Sequence, residues 1–161
     1  MKKILINPDE RLRKKSRSIT AQEMKQNKYD ELIKEMVKIM LDKDGIGLAA
    51  PQINEHVRLI IVNTQDGIVV FGNPEIVSRS WKKDNEEEGC LSVPGVTGLV
   101  KRNYEITVQA KKSTGEAFML TAKGLFARVI QHEIDHLDGI LFIDKAIKIY
   151  KKNHERKDER N

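Results

Sequence analysis

The string most able to do chemistry in this sequence is His132-Glu133-Ile134-Asp135-His136. Residues four apart on a helix lie one turn apart on the same face, so both imidazoles of an H-E-x-x-H string can reach one metal ion. Glu133 follows a ligand and points off the ligand axis, which places it beside a water on the metal and not on the metal itself. A catalytic metal site usually takes three protein ligands and leaves a fourth position open. The candidates for the third are His56, His154, the carboxylates and Cys90, the single cysteine. His154 lies in a charged tail and His56 in a turn before a strand. Cys90 is better placed, in Glu88-Gly89-Cys90-Leu91-Ser92-Val93-Pro94, where Gly89 permits close backbone approach and Pro94 ends any regular ladder. A free cysteine is commonly a small buried hydrophobe, but beside H-E-x-x-H the ligand reading prevails.

A further string, Gly45-Ile46-Gly47-Leu48-Ala49-Ala50-Pro51-Gln52, leaves its backbone accessible through two glycines and two alanines. An extended peptide could pair with it as an added strand. Gln52 ends the string with a neutral amide that can donate to a developing oxyanion without titrating. A Gly-Ala-Pro turn packed under a helix explains the same residues, so the string gains meaning only in combination with the others.

These residues need elements to hold them. Apolar residues from Tyr29 to Met40 recur at helical spacing, which predicts an amphipathic helix stopped by Asp44-Gly45. Thr20-x-x-Glu23 matches a capping box for a separate short turn before it. Strand-like runs follow at 57–62, 68–71, 104–110 and 116–121, separated by turn signals at Asp66-Gly67, Asn73-Pro74 and Ser113-Thr114-Gly115, and the last two runs read as a hairpin. From Leu125 to Leu137 the period is helical again, ending at Asp138-Gly139. The expectation is an α+β fold with the H-E-x-x-H string on its second long helix, and a short C-terminal helix at 144–152 that frays into a disordered tail.

With 161 residues the chain has the length of one domain, and no apolar run approaches the roughly 20 residues that span a bilayer. The three apolar residues before Asn7-Pro8 are too few for a secretory segment, and a lone cysteine cannot form an internal disulfide, so a cytoplasmic protein is expected. The net charge of +5 is uneven: residues 1–17 carry +5, residues 145–161 carry +4, and the middle sums to −4. The basic character therefore belongs to the two ends and gives no ground for sequence-specific nucleic-acid binding.

Taken together, G-I-G-L-A-A-P-Q, E-G-C-L-S-V-P and Q-H-E-I-D-H-L-D-G, in this order and spacing, resemble the three signature motifs of peptide deformylase in its compact bacterial form. The resemblance runs from Ile4 to about Asp144 and includes Pro8-Asp9-x-Arg11-Leu12-Arg13 and Leu141-Phe142-x-Asp144. It implies mostly antiparallel strands around a central metal-binding helix. Metal ligands are implied at Cys90, His132 and His136, a general base at Glu133, and oxyanion donors at the Gln52 side chain and the Leu91 backbone amide. Substrate-strand contacts fall on Ile46, Gly47 and Gly89, with Leu125 and Val129 as candidates for the methionine pocket. Glu88 and Arg102 are the candidates for a supporting ion pair. The implied reaction is removal of the formyl group from the N-terminal formylmethionine of newly made proteins, releasing formate. The implied ion is ferrous iron, one per chain, although a thiolate and two imidazoles also suit Zn²⁺, Ni²⁺ and Co²⁺. Residues 1–144 form the expected catalytic domain, and the basic segment 145–161 is a candidate ribosome contact. Two other readings compete. A zinc peptidase of another H-E-x-x-H family would leave Cys90 unexplained. A non-enzymatic ribosome-binding protein with a structural metal would need a fourth ligand.

Overall fold

A computed structural model describes residues 2–151. Two short turns of helix lead in, at Glu10–Arg13 and α1, Ala21–Lys25. Thr20 caps α1 in a complete capping box: its hydroxyl accepts from the Glu23 N–H at 3.2 Å and the Glu23 carboxylate accepts from the Thr20 N–H at 3.0 Å. The amphipathic helix α2 spans Asp30–Asp42 and ends where Asp44 turns left-handed. Its Met36, Ile39 and Met40 are buried against Leu48, Ile53, Leu59 and Ile61. At roughly 1.5–3 kcal/mol for each apolar side chain removed from water, this face fixes the helix.

Five strands form one antiparallel sheet in the order β1-β2-β3-β6-β7: β1 Gly47–Ala49, β2 Leu59–Thr64, β3 Gly67–Arg79, β6 Glu105–Lys111 and β7 Ala117–Lys123. The expected hairpin is β6 with β7. Asn73-Pro74, a turn by sequence, instead lies inside β3 as a bulge. Asn73 adopts a positive φ and its amide donates to and accepts from the Ile19 backbone at 2.8 Å each way, so the strand bends without ending.

A second sheet, β4-β5-β8, consists of β4 Lys83–Cys90, β5 Val93–Asn103 and β8 Lys148–Lys151. The sequence reading contains neither β4 nor β5. It is also corrected at the C-terminal end. The segment expected as one short helix is a single turn, α4, at Phe142–Lys145, followed by a strand that pairs with β5 from Val96↔Lys151 to Leu99↔Lys148. Gly98 makes the docking possible, because a Cβ there would stand 2.9 Å from Ala146 Cβ and 3.2 Å from Ile149 Cδ1. Without β8, β5 would present an open edge. The expected tail beyond residue 151 lies outside the described residues.

The helix α3, Gly124–Leu137, follows β7 directly. Ala127, Ile130 and Leu137 pack on the inner face of the five-stranded sheet. On the other side Arg128 donates to the Val100 carbonyl at 2.8 Å and Gln131 to the Asn103 carbonyl at 2.9 Å, which ties α3 to β5 of the second sheet. Nine of its fourteen residues are buried, and six of those nine are polar. A helix buries so many polar groups only when each has a partner or a task. Among the described residues no helix is long and apolar enough to cross a membrane.

Candidate active site

α3 presents His132 and His136 one turn apart, with ring centroids 5.0 Å from each other. Cys90 approaches from the end of β4, where the pairing with β5 shifts from Gly89↔Thr97 to Cys90↔Val93 and turns the thiol toward the helix. One ligand atom from each of the three residues lies within 4.8 Å of the other two, and Cys90 Sγ is 3.3 Å from His136 Nε2. His132 Nδ1 meets the Glu88 carboxylate at 2.9 Å, so Nε2 is its free ring nitrogen. A carboxylate on the far nitrogen of a ligating histidine is the usual means of fixing its ring and tautomer. The donor set and its support thus fit a divalent metal ion.

Burial, the strongest influence on both rings, disfavours their cations. It holds His136 well below the usual imidazole range, as a neutral ligand requires. At His132 the contacts with the Cys90 sulfur and the Glu88 carboxylate overcome burial and raise the ring to about 10. A divalent ion held among these groups would take the place of that proton.

Glu88 is held from several sides. Arg102 Nε and Nη2 grip its two oxygens at 2.8 and 2.9 Å, and Arg128 Nη1 adds a third contact at 2.8 Å. Arg102 reaches on to Asp135, which also receives Lys145 at 2.7 Å, while Arg128 binds Asp84 at 2.6 Å. Burial alone would raise the Glu88 carboxyl, but the Arg102 and His132 contacts outweigh it and keep Glu88 ionised. Arg128, Asp135 and Lys145 thus join the Glu88–Arg102 pair expected from the sequence. A signal existed for Arg128, four residues before His132 on the same helix face, but a charged residue on an amphipathic helix normally reads as solvated.

Gln52 closes another side. It sits in the short turn Ala50–Ile53 after β1, where its Oε1 accepts from the Ala49 N–H at 2.9 Å. Its Nε2 donates to Ser92 Oγ at 3.1 Å and lies 3.5 Å from Cys90 Sγ. Glu133 is buried, and its Oε2 finds no partner among the described residues. Burial pushes its carboxyl up to about 7. Gly47 lies directly against it: a Cβ there would stand 2.6 Å from Glu133 Oε1 and 2.9 Å from Val129 Cγ1. Ile46, Gly47, Gln52, Gly89, Leu91, Leu125, Val129, His132 and Glu133 all line one open pocket over the Cys-His-His triangle. The residues that the resemblance assigns to the site therefore lie at this pocket or, as with His136 and Arg102, immediately behind it, whereas His56 is not part of its lining and His154 lies outside the described residues.

The chain that builds this pocket has counterparts among known proteins. The Polypeptide deformylase family model matches residues 1–152. The chain belongs to the peptide deformylase family. A peptide deformylase from Natranaerobius thermophilus is 42% identical over 152 residues, covering 94% of this chain and 96% of its own. One from Clostridium botulinum is 46% identical over 144 residues, covering 87% and 92%. Among solved structures, the peptide deformylase of Thermotoga maritima matches with a TM-score of 0.87 at 35% identity, over 92% of this chain and 99% of that one. A class I type b peptide deformylase from Acinetobacter baumannii with Met-Ala-Ser bound matches with a TM-score of 0.86 at 34% identity, over 90% and 98%. The deformylases are metal-dependent hydrolases that remove the N-formyl group from the N-terminal methionine, and this reaction, not internal peptide cleavage or a structural metal role, is the one the family assigns to the chain.

Proposed function

We propose that Cys90, His132 and His136 hold the ion of this deformylase, that Glu133 is its general base and acid, and that Gln52 Nε2 and the Leu91 N–H are its oxyanion donors. The observation that carries this reading is the position of Glu133, buried with one free oxygen at the edge of the Cys-His-His triangle. A bound divalent ion supplies Lewis-acid polarisation and lowers the pKa of water. Glu133 takes the proton of the attacking water. The Gln52 amide and the Leu91 N–H donate to the oxygen that gains charge as the formyl carbon becomes tetrahedral. Glu133 then delivers its proton to the departing amine, which leaves formate and a free N-terminal methionine. A carboxyl poised near neutrality is suited to both transfers.

The substrate fits as an extended strand between the free edge of β1 and the end of β4. Gly47 and Gly89 flank this path, and a Cβ built at Gly89 meets nothing in the protein closer than 3.8 Å, so the missing side chain there serves an incoming backbone. Ile46 and Leu125, both apolar and exposed at the pocket, together with Val129, receive the methionine side chain. The Met-Ala-Ser bound by the Acinetobacter relative has the chemistry of the deformylated product. Ferrous iron is the proposed native ion, in agreement with a donor set of one thiolate and two imidazoles. Ribosome contact by the basic C-terminal segment stays part of this reading, although residues 152–161 lie outside the described structure. Release of formate from formyl-Met-Ala, with no cleavage of an unblocked peptide, tests the reaction. Metal analysis of anaerobically purified against air-exposed protein tests the ion, and loss of bound iron together with activity on exposure to air is the expected result.

A further inference from the structure

Between β3 and β4 the chain turns through Arg79-Ser80-Trp81-Lys82-Lys83, three cations and a tryptophan with no acid among them. Trp81 is fully exposed, and Arg79, Lys82 and Lys83 are exposed beside it. A single exposed apolar residue needs no explanation by itself, but an indole open on both faces and flanked by three cations is a ready stacking surface beside phosphate-binding charge. The backbone on both sides of it is pinned. The Ser80 N–H donates to the Glu105 carbonyl at 2.9 Å, the Tyr104 N–H to the Lys82 carbonyl at 2.9 Å, and Asn103 Nδ2 to the Ser80 carbonyl at 2.8 Å. The Ser80 hydroxyl bridges the Lys82 carbonyl and the Glu105 N–H, and Lys82 Nζ stands 3.9 Å over the Tyr104 ring. The indole is thus presented on a rigid tip, which lowers the ordering cost of binding.

The flanking carboxylates do not neutralise this tip, because Asp84 is bound by Arg128 and Glu105 by Lys123. Lys83 and Cys90 are the two ends of β4, about 23 Å apart at the usual rise per residue, so a partner on the tip leaves the pocket open. We propose that this tip is a docking point for RNA that displays unpaired bases, with Trp81 stacking on a base and Arg79, Lys82 and Lys83 meeting the adjacent phosphates. Stacking on an aromatic ring and cation contacts along the backbone are the two elements of sequence-tolerant single-strand binding. A lipid surface fits less well, since interfacial anchoring uses a broad apolar face and the tip offers one indole.

Trp81 is the only tryptophan of the chain, so its emission reports the contact directly. Titration of the full chain with poly(U) is expected to quench that emission and to weaken with salt at a log–log slope of about −2, as three phosphate contacts on a single strand require. Trp81→Ala is expected to weaken binding of labelled poly(U) about fivefold or more, the low end of one base stack. Lys82→Glu with Lys83→Glu is expected to abolish the quenching. All three substitutions leave formate release from formyl-Met-Ala unchanged, which separates this proposal from the catalytic assignment. Binding of poly(U) by Trp81→Ala equal to that of the unaltered chain overturns the proposal. So does quenching by heparin as strong as by poly(U), or a blue shift with phosphatidylglycerol vesicles and no response to poly(U).

Discussion

At Gly47 a single hydrogen in place of a methyl group leaves room for Glu133, the proposed base, because the Cβ of any other residue would stand 2.6 Å from the carboxylate oxygen. Gly47→Ala is therefore expected to keep its metal and lose about 10²-fold or more in formate release, the scale of a displaced general base. Metal content and turnover measured on the same preparation check it. Cys90→Ser is expected to lose most of its metal to a chelator that leaves the unaltered chain loaded, because a hydroxyl is a far poorer ligand than a thiolate for ions of this class. At this scale the sequence was readily legible. Helical spacing marks His132, Glu133 and His136, and the strings around Cys90 and Gln52, ambiguous alone, point in combination with them to residues that the structure brings together. Arg128 was hidden, since nothing in the one-dimensional pattern shows that the polar face of α3 is covered by a second sheet.

The second sheet also holds the elements that apolar periodicity does not mark. α2, α3 and the β6–β7 hairpin follow apolar periodicities, and β2, buried on both faces, follows a continuous apolar run. β4 runs Lys-Asp-Asn-Glu-Glu-Glu-Gly-Cys, and its one buried residue is Glu88, so its inward face carries charge where a strand pattern needs an apolar residue. The few apolar residues of β8 fit either period, and only the open edge of β5 selects strand over helix. The price of a charged interior is that each partner depends on the others. Arg128→Leu is expected to destabilise the fold by about 3 kcal/mol in urea denaturation, the low end for breaking a buried pair, because Arg102 still holds Glu88.

Over the whole molecule, the two flanking strings of the sequence close on the exit of α3. Arg13 pairs with Asp144, the Ser16 N–H donates to the Leu137 carbonyl at 2.8 Å, and Arg58 binds Asp138 at 2.8 Å. Gly139 lies so close under Arg13 that a Cβ would fall 2.3 Å from its carbonyl oxygen. The N-terminal segment thus clasps the end of the helix that presents His136. Burial alone would raise the Asp144 carboxyl, but Arg13 and the Leu141 N–H outweigh it and hold it below the usual carboxylate range. A depressed carboxylate contributes stability above its unfolded pKa, and this is lost as pH falls through the lower folded value. Asp144→Asn is expected to lower the urea midpoint at neutral pH, with the difference from the unaltered chain shrinking as pH drops below about 4.

The most direct test of the catalytic assignment is Glu133→Ala, assayed for bound metal and for formate release in one anaerobic preparation. If Glu133 moves protons and holds no metal, the variant keeps one ion per chain and its turnover falls about 10²- to 10⁴-fold. Loss of the ion together with activity, or activity retained without the carboxylate, contradicts the account.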